Sequence, residues 1–301
     1  MNFTQATDDF LMSLEVEKSY SKNTIVGYAN DLRSYEDFLR SHKRSLELND
    51  LTPSTSRRFI QDQVLNHNAK PRTLQSRISC LKSLSSFCLK ERYTESDFVA
   101  GIQAPKSDKN LPVYMSLEEL QKLFRFLEKD ERPLAYRNNV LFKLLATSGM
   151  RRQELVDSIW EQVNLDNQTI RAFGKGKKER LLPLHMIVVP LFHKYKEHLA
   201  AHQLHDTEPV FLNKNGDKMT PHGLHVTFKD ILLKAGLPLK RFSLHHLRHT
   251  FAMLLLQQAD DKVDLKTLQE LLGHESLATT SMYTHIDFEQ KKKAIHSFKI
   301  E

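Results

Sequence analysis

"QTIRAFGKGKKERLLPL", residues 168–184, is the stretch that separates this chain from an all-helical protein. Aliphatic and β-branched residues alternate with polar ones on both sides of the turn from Gly174 to Lys178, the period of two expected of strands with one buried face. The stretch reads as a β-hairpin carrying lysines at its tip. On both sides of it the apolar spacing is helical. Downstream, helical patterns cover residues 186–201, 221–234, 244–258, 265–271 and 277–283, with a last helix near 288–298. Upstream, "SLEEL" opens a helix, because Ser116 can cap it and Glu119, three residues on, can reach back to the cap.

Further upstream the pattern breaks. In "GIQAPKSDKNLPVYM" (101–115) no apolar period survives, and Pro105 and Pro112 bracket a charged run too polar to pack, so residues 102–115 are expected to be an interdomain linker. The first 101 residues read as four helices. The second, "NTIVGYANDLRSYEDFLRSH", sets Ile25, Tyr28, Leu32, Tyr35 and Leu39 on one face; a shorter helix covers about 57–65; a long one opened by Pro71 carries Leu74, Ile78, Leu81 and Cys88 on one stripe. The expected fold class is mainly α: a four-helix domain (1–101), the linker, and a mostly helical α+β domain (116–301) with a small hairpin sheet. A length of 301 residues suits two domains of about 150 residues each.

Charge narrows the partners. The chain carries a formal +7 and a pI near 9.2. Residues 1–100 hold 14 Lys and Arg against 13 Asp and Glu, yet between Arg57 and Arg92 the count is 8 against 2. Such a local excess suits a surface facing a polyanion, and Arg72, Arg77 and Lys82 in the long helix, with Lys177 and Lys178 at the hairpin tip, are the candidate DNA contacts. No run approaches the roughly 20 apolar residues needed to span a bilayer, and the N-terminus carries acids where a signal peptide would carry bases, so no membrane partner and a cytoplasmic location are expected. Cys80 and Cys88, eight residues apart on one helix, would stand about 12 Å apart, too far to bridge. They read as core thiols of a reducing compartment.

Four stretches carry chemistry: "TSGMRRQEL" (147–155), "FGKGKKERL" (173–181), "SLHHLRHTFA" (243–252) and "LGHESLATTSMYTHIDFEQKKK" (272–293). Gly149 suits the left-handed end of one helix, which would put Arg151 at the start of the next. His245 and Arg248, three apart, share a helix face. Two arginines, a lysine, histidines and a tyrosine, without a carboxylate pair or a Walker-type glycine loop, fit phosphodiester cleavage without a metal. The phosphorane of that reaction gathers negative charge on its non-bridging oxygens, which the guanidinium forks of Arg151 and Arg248 can hold in a plane. Tyr283 would be the nucleophile. Since the ordinary phenol pKa is about 10, it needs a neighbouring imidazole, His245 or His274, to take its proton. The departing 5′ oxygen needs a proton, which a lysine on the hairpin tip could supply.

These stretches resemble the tyrosine recombinase (phage integrase) family, specifically its compact Xer-like members. The family pattern of Arg, Asp or Glu, Lys, His-x-x-Arg, His or Trp, and Tyr is filled by Arg151, Glu154, Lys175, His245, Arg248, His274 and Tyr283. "GMRRQEL", "GKGKKER", "HHLRHTFA" and "LLGHESLATTSMYTH" match the family's local motifs in order and spacing over residues 147–285, and the N-terminal bundle matches its core-binding, SAM-like domain more loosely. The resemblance implies site-specific cleavage and rejoining of duplex DNA through a 3′-phosphotyrosyl link and a Holliday junction. It implies a homotetramer on DNA, alone or with a related recombinase, and no cofactor or metal. It singles out Lys175 from its neighbours as the general acid, and it gives Glu154 a supporting role, orienting Arg151. The last helix would dock on a neighbouring protomer.

Three other classes fit the residues less well. His245 and His249 have the i, i+4 spacing of a zinc pair, but His246 stands where a zincin needs glutamate and two arginines oppose a cation. A DNA-binding protein without catalysis would have no use for the tyrosine. A type IB topoisomerase shares the chemistry, but the two-domain layout and the "LGHESLATTSMYTH" segment favour a recombinase. The expected setting is chromosome-dimer resolution or the integration, excision or resolution of a mobile element, and the lack of an extra arm-binding domain favours a simple core-site enzyme.

Overall fold

A computed structural model of the chain describes residues 1–105, 112–174, 178–204, 208–258 and 263–273. The chain divides into two compact units, Met1–Lys109 and Asn110–Glu301.

The first unit is built from α1 (Phe3–Val16), α2 (Lys22–Ser41), α3 (Pro53–Leu65) and α4 (Pro71–Lys90). Side chains satisfy the orphan amides at the starts: Asn2 accepts from the Thr4 N–H, Ser21 from Thr24 and Thr52 from Thr55. The Thr52 cap and Pro53 in the first turn start α3 four residues before the Arg57 expected from apolar spacing alone. Along α4 the buried positions Leu74, Ile78, Leu81, Ser85 and Cys88 recur every three or four residues. They close over Phe3, Phe10, Tyr35 and Phe59, all buried, with the Tyr35 and Phe59 rings edge-on at 5.0 Å. Tyr35 shares a 2.9 Å hydrogen bond with the Ser56 hydroxyl, which donates to the Phe98 carbonyl at 2.7 Å, and burial pushes the phenol up to about 12. Cys80 and Cys88 are free and buried, and burial raises their thiols to about 12 and 11. Arg72 and Lys82 are exposed, whereas Arg77 turns partly inward, donating to Gln63 and lying 3.8 Å from Asp31.

The second unit opens with α5 (Leu117–Lys129), where Ser116 and Glu119 form the reciprocal capping box. Its central helix, α6 (Ala135–Ser148), is buried nearly all round and ends on Gly149 at φ +64°. A β-carbon at Gly149 would come within 2.6 Å of the Phe251 ring, so both the dihedral and the space demand glycine. After α7 (Arg152–Val156) comes an antiparallel sheet of β1 (Val163–Asn164), β2 (Thr169–Phe173) and β3 (Glu179–Pro183) in sequential order. The expected hairpin is β2 and β3, registered Ile170 to Leu182 and Ala172 to Arg180; β1 adds a third strand that two residues cannot announce by alternation. Among the described residues four helices follow: α8 (Val189–Ala201), α9 (Pro221–Lys234), α10 (Leu244–Gln258) and α11 (Leu265–Leu272). Pro190 in the first turn of α8 and the turn before it move its start from the expected Met186 to Val189. The buried Thr250 hydroxyl on α10 accepts from the Met115 N–H at 2.9 Å and donates to the His246 carbonyl at 2.7 Å. No helix among the described residues is long and apolar enough to cross a membrane.

Candidate active site

The left-handed turn at Gly149 stops α6 and lets Arg151 precede the first turn of α7. One turn later Glu154 is buried, and it accepts at 2.7 Å from the Arg151 backbone N–H through Oε2 and at 2.7 Å from the Arg151 guanidinium through Oε1. Glu154 also receives both ends of the Arg180 guanidinium, Nη1 on Oε1 at 2.9 Å and Nη2 on Oε2 at 2.7 Å. Burial pushes this carboxyl up, but the hydrogen bonds from Arg180 and Arg151 overcome it and hold the group below the ordinary carboxylate range. Glu154 is therefore an anion, committed to two arginines.

Arg248 on α10 is only 3% exposed. Its Nη1 donates to the Gly149 carbonyl at 2.6 Å and its Nη2 to the Leu272 carbonyl at 2.5 Å. The Arg151 Nη2 donates to the Gly273 carbonyl at 2.6 Å, and its side chain remains 38% exposed. The two guanidiniums thus converge on consecutive peptide carbonyls at the C-terminus of α11, where helix ends leave acceptors unpaired and the macrodipole is negative. His245, one turn before Arg248, presents an exposed ring; partial burial and the charges of Arg248 and Arg151 lower its pKa, so near pH 7 it is a neutral imidazole able to accept a proton. His249 stacks edge-on beside it at 4.4 Å.

Gly174, the residue before Lys175, lies against this pair: a β-carbon there would stand 3.6 Å from Glu154 Oε1 and 3.7 Å from Arg151 Nη1, and its N–H closes the hairpin on Lys178 at 2.8 Å. The exposed Lys178 is described, while Lys175, Lys177, His274, Tyr283 and the helices expected at 277–283 and near 288–298 lie outside the described residues. Of the expected site, the described members Arg151, Glu154, His245 and Arg248 stand together. Arg180 is the member that motif reading left aside. Its signal was present, since the alternation of β3 puts Arg180 on the same face as the buried Leu182.

Residues 114–290 match the model of the phage integrase family, and residues 7–92 match the phage integrase N-terminal SAM-like domain. The chain belongs to the phage integrase family. Within it the chain is a tyrosine recombinase of the Xer type: it is 32% identical to tyrosine recombinase XerD of Staphylococcus epidermidis over 97% of each chain. Among solved structures it resembles the XerH site-specific recombinase bound to a palindromic difH substrate, with 26% identity, a TM-score of 0.75, and coverage of 91% of this chain and 79% of that one. A lambda integrase tetramer bound to a Holliday junction, 18% identical over 92% of this chain and 78% of that one with a TM-score of 0.71, shows the shared fold.

Proposed function

We propose that this integrase-family chain cuts and rejoins duplex DNA at specific sites, with Tyr283 as nucleophile. The Tyr283 oxygen bonds to the scissile phosphorus, the bond to the 5′ oxygen breaks, and a 3′-phosphotyrosyl link holds the strand until a 5′ hydroxyl reverses the attack. Arg151 and Arg248 clamp the non-bridging oxygens as charge grows on them. The phenol's proton passes to an imidazole, His245 or His274, and Lys175 protonates the departing oxygen. The bond is conserved covalently, so the chemistry itself consumes no ATP.

The observation that carries this reading is the convergence of Arg151 and Arg248 on the carbonyls of Gly273 and Leu272, immediately before His274 in the chain. In this reading residues 1–101 are a DNA-binding domain using Arg72, Arg77 and Lys82, residues 102–115 a linker, and residues 116–301 the catalytic domain, with Lys177 and Lys178 adding contacts at the hairpin tip. Arg77 would have to release Asp31 and Gln63 to reach a phosphate. Four copies act on two DNA sites in the cytoplasm and pass through a Holliday junction, the kind of DNA to which the lambda integrase tetramer is bound. The full-length likeness to XerD favours chromosome-dimer resolution over a mobile element.

The test uses a duplex selected by the wild-type protein from a random-sequence pool and resynthesised with a nick, so that cleavage traps the covalent adduct. Wild type should become attached to it; Tyr283→Phe should bind equally well and never attach. Lys175→Ala should cleave slowly and recover on a 5′-thio leaving group, which needs little protonation. A Tyr283→Phe protein that still formed adduct would sink the reading, and a missing thio recovery would move the general acid elsewhere.

A further inference from the structure

We propose that Arg180 is a positioning residue of this active site, keeping the Glu154 carboxylate away from Arg151's phosphate-binding edge and fixing the end of α11. The inference rests on the function proposed above. Three consecutive carbonyls at the end of α11 are each held by a different arginine: Leu271 by Arg180 Nε at 3.0 Å, Leu272 by Arg248, and Gly273 by Arg151. Arg180 also lies against Gly273, where a β-carbon would meet its Nη1 at 3.0 Å and its Cζ at 3.2 Å. It is the only one of the three to place a bidentate fork on Glu154 while its Nε reaches α11.

Charge explains why the fork matters. Glu154 supplies one negative charge between two guanidiniums, with Arg248 on the neighbouring carbonyl. With Arg180 across both carboxylate oxygens, Arg151 receives only Oε1 on its side chain and keeps net positive charge for an anion. Remove Arg180, and the buried carboxylate is left to turn fully onto Arg151 as a two-pronged pair, neutralising the group that must hold the phosphate. Lysine could restore charge at position 180 but neither the planar fork nor the third donor that reaches Leu271.

The experiment measures single-turnover adduct formation and DNA binding of the full chain on the nicked, pool-selected duplex, with melting temperature as a check on folding. Arg180→Ala should cleave about 10–100-fold more slowly while binding DNA within about twofold of wild type, the range typical of groups that orient a reacting residue. Arg180→Lys should remain slow. The double variant Glu154→Gln/Arg180→Ala should be no slower than Arg180→Ala alone, because the carboxylate charge that would capture Arg151 is gone. Wild-type cleavage rates in either single variant would overturn the proposal. So would a double variant slower than Arg180→Ala alone, the signature of independent structural damage; if Arg180→Ala does not fold, Arg180→Lys and its double variant with Glu154→Gln decide. A wild-type protein forming no adduct would instead refute the recombinase chemistry.

Discussion

In the Met1–Lys109 unit the interior is made of rings and aliphatic chains, and its buried polar residues, among those described, are all uncharged: Ser13, Thr55, Ser56, Gln63, Ser85 and Thr94. The Asn110–Glu301 unit has an apolar core too, but it also buries Arg137, Lys143, Glu154 and Arg248. Each buried ion carries a desolvation cost of several kcal/mol, which apolar residues of similar volume would avoid. The contrast teaches where function was placed. Non-directional burial suffices to hold a helical bundle. The phosphate clamp proposed above needs charges whose directions are set beforehand; Arg248 is aimed by the Gly149 and Leu272 carbonyls, and Glu154 is held by Arg151 and Arg180.

The contrast can be broken at its apolar end first. Phe59→Ala, which empties a ring site against Tyr35 and Phe38, should lower stability by about 3–5 kcal/mol, measured by denaturant unfolding followed by far-UV circular dichroism. A loss under 1 kcal/mol would mean that the bundle is not held by its rings. Gly149→Ala comes next. It forces a β-carbon into Phe251 at a left-handed dihedral and should cost about 2–4 kcal/mol, and the survivors should cleave poorly because the Gly149 carbonyl anchors Arg248. Trp160, the single tryptophan, lies in the second unit and reports that unfolding by its fluorescence.

Acid should separate the two units with a smaller effect. Among the described residues every lowered pKa belongs to the second unit, including His198, His245, His246 and Glu154, while the first unit shows only raised values at Tyr35, Cys80, Cys88 and Tyr93. For the histidines, burial lowers the folded value below the ordinary 6.5, so the unfolded chain takes up protons first and stability falls as pH drops below about 6.5. For Glu154, held below the ordinary 4.5 by its arginines despite burial, the contribution is present above that value and is lost as pH falls through the lowered one. The Trp160 transition should therefore weaken between pH 7 and 4 more than the helical signal as a whole. Equal weakening of both signals would erase the distinction.

Much of this was legible in the residues because the physics was local. Ser116 and Pro71 announce helix starts, Gly149 announces a left-handed stop, and alternation around Gly174 announces β2 and β3, whereas the Thr52 cap of α3 went unread. What stayed hidden depends on backbone acceptors. The Leu271, Leu272 and Gly273 carbonyls that gather three arginines leave no mark in side-chain identity, so the alternation of β3 can place Arg180 on the inner face but cannot say what it holds there. Likewise β1 is two residues long, and only pairing with β2 defines it. Arg77 counted toward a basic surface by composition, yet Asp31 and Gln63 compete for it in the fold.

The Met115 amide hydrogen-bonded to Thr250 has a practical corollary for anyone grafting a foreign targeting module onto this catalytic unit. The same helix carries His245 and Arg248, so a splice that discards Met115 strips a sealed hydroxyl on that helix of its donor, whereas a junction ahead of Tyr114 leaves that anchorage whole.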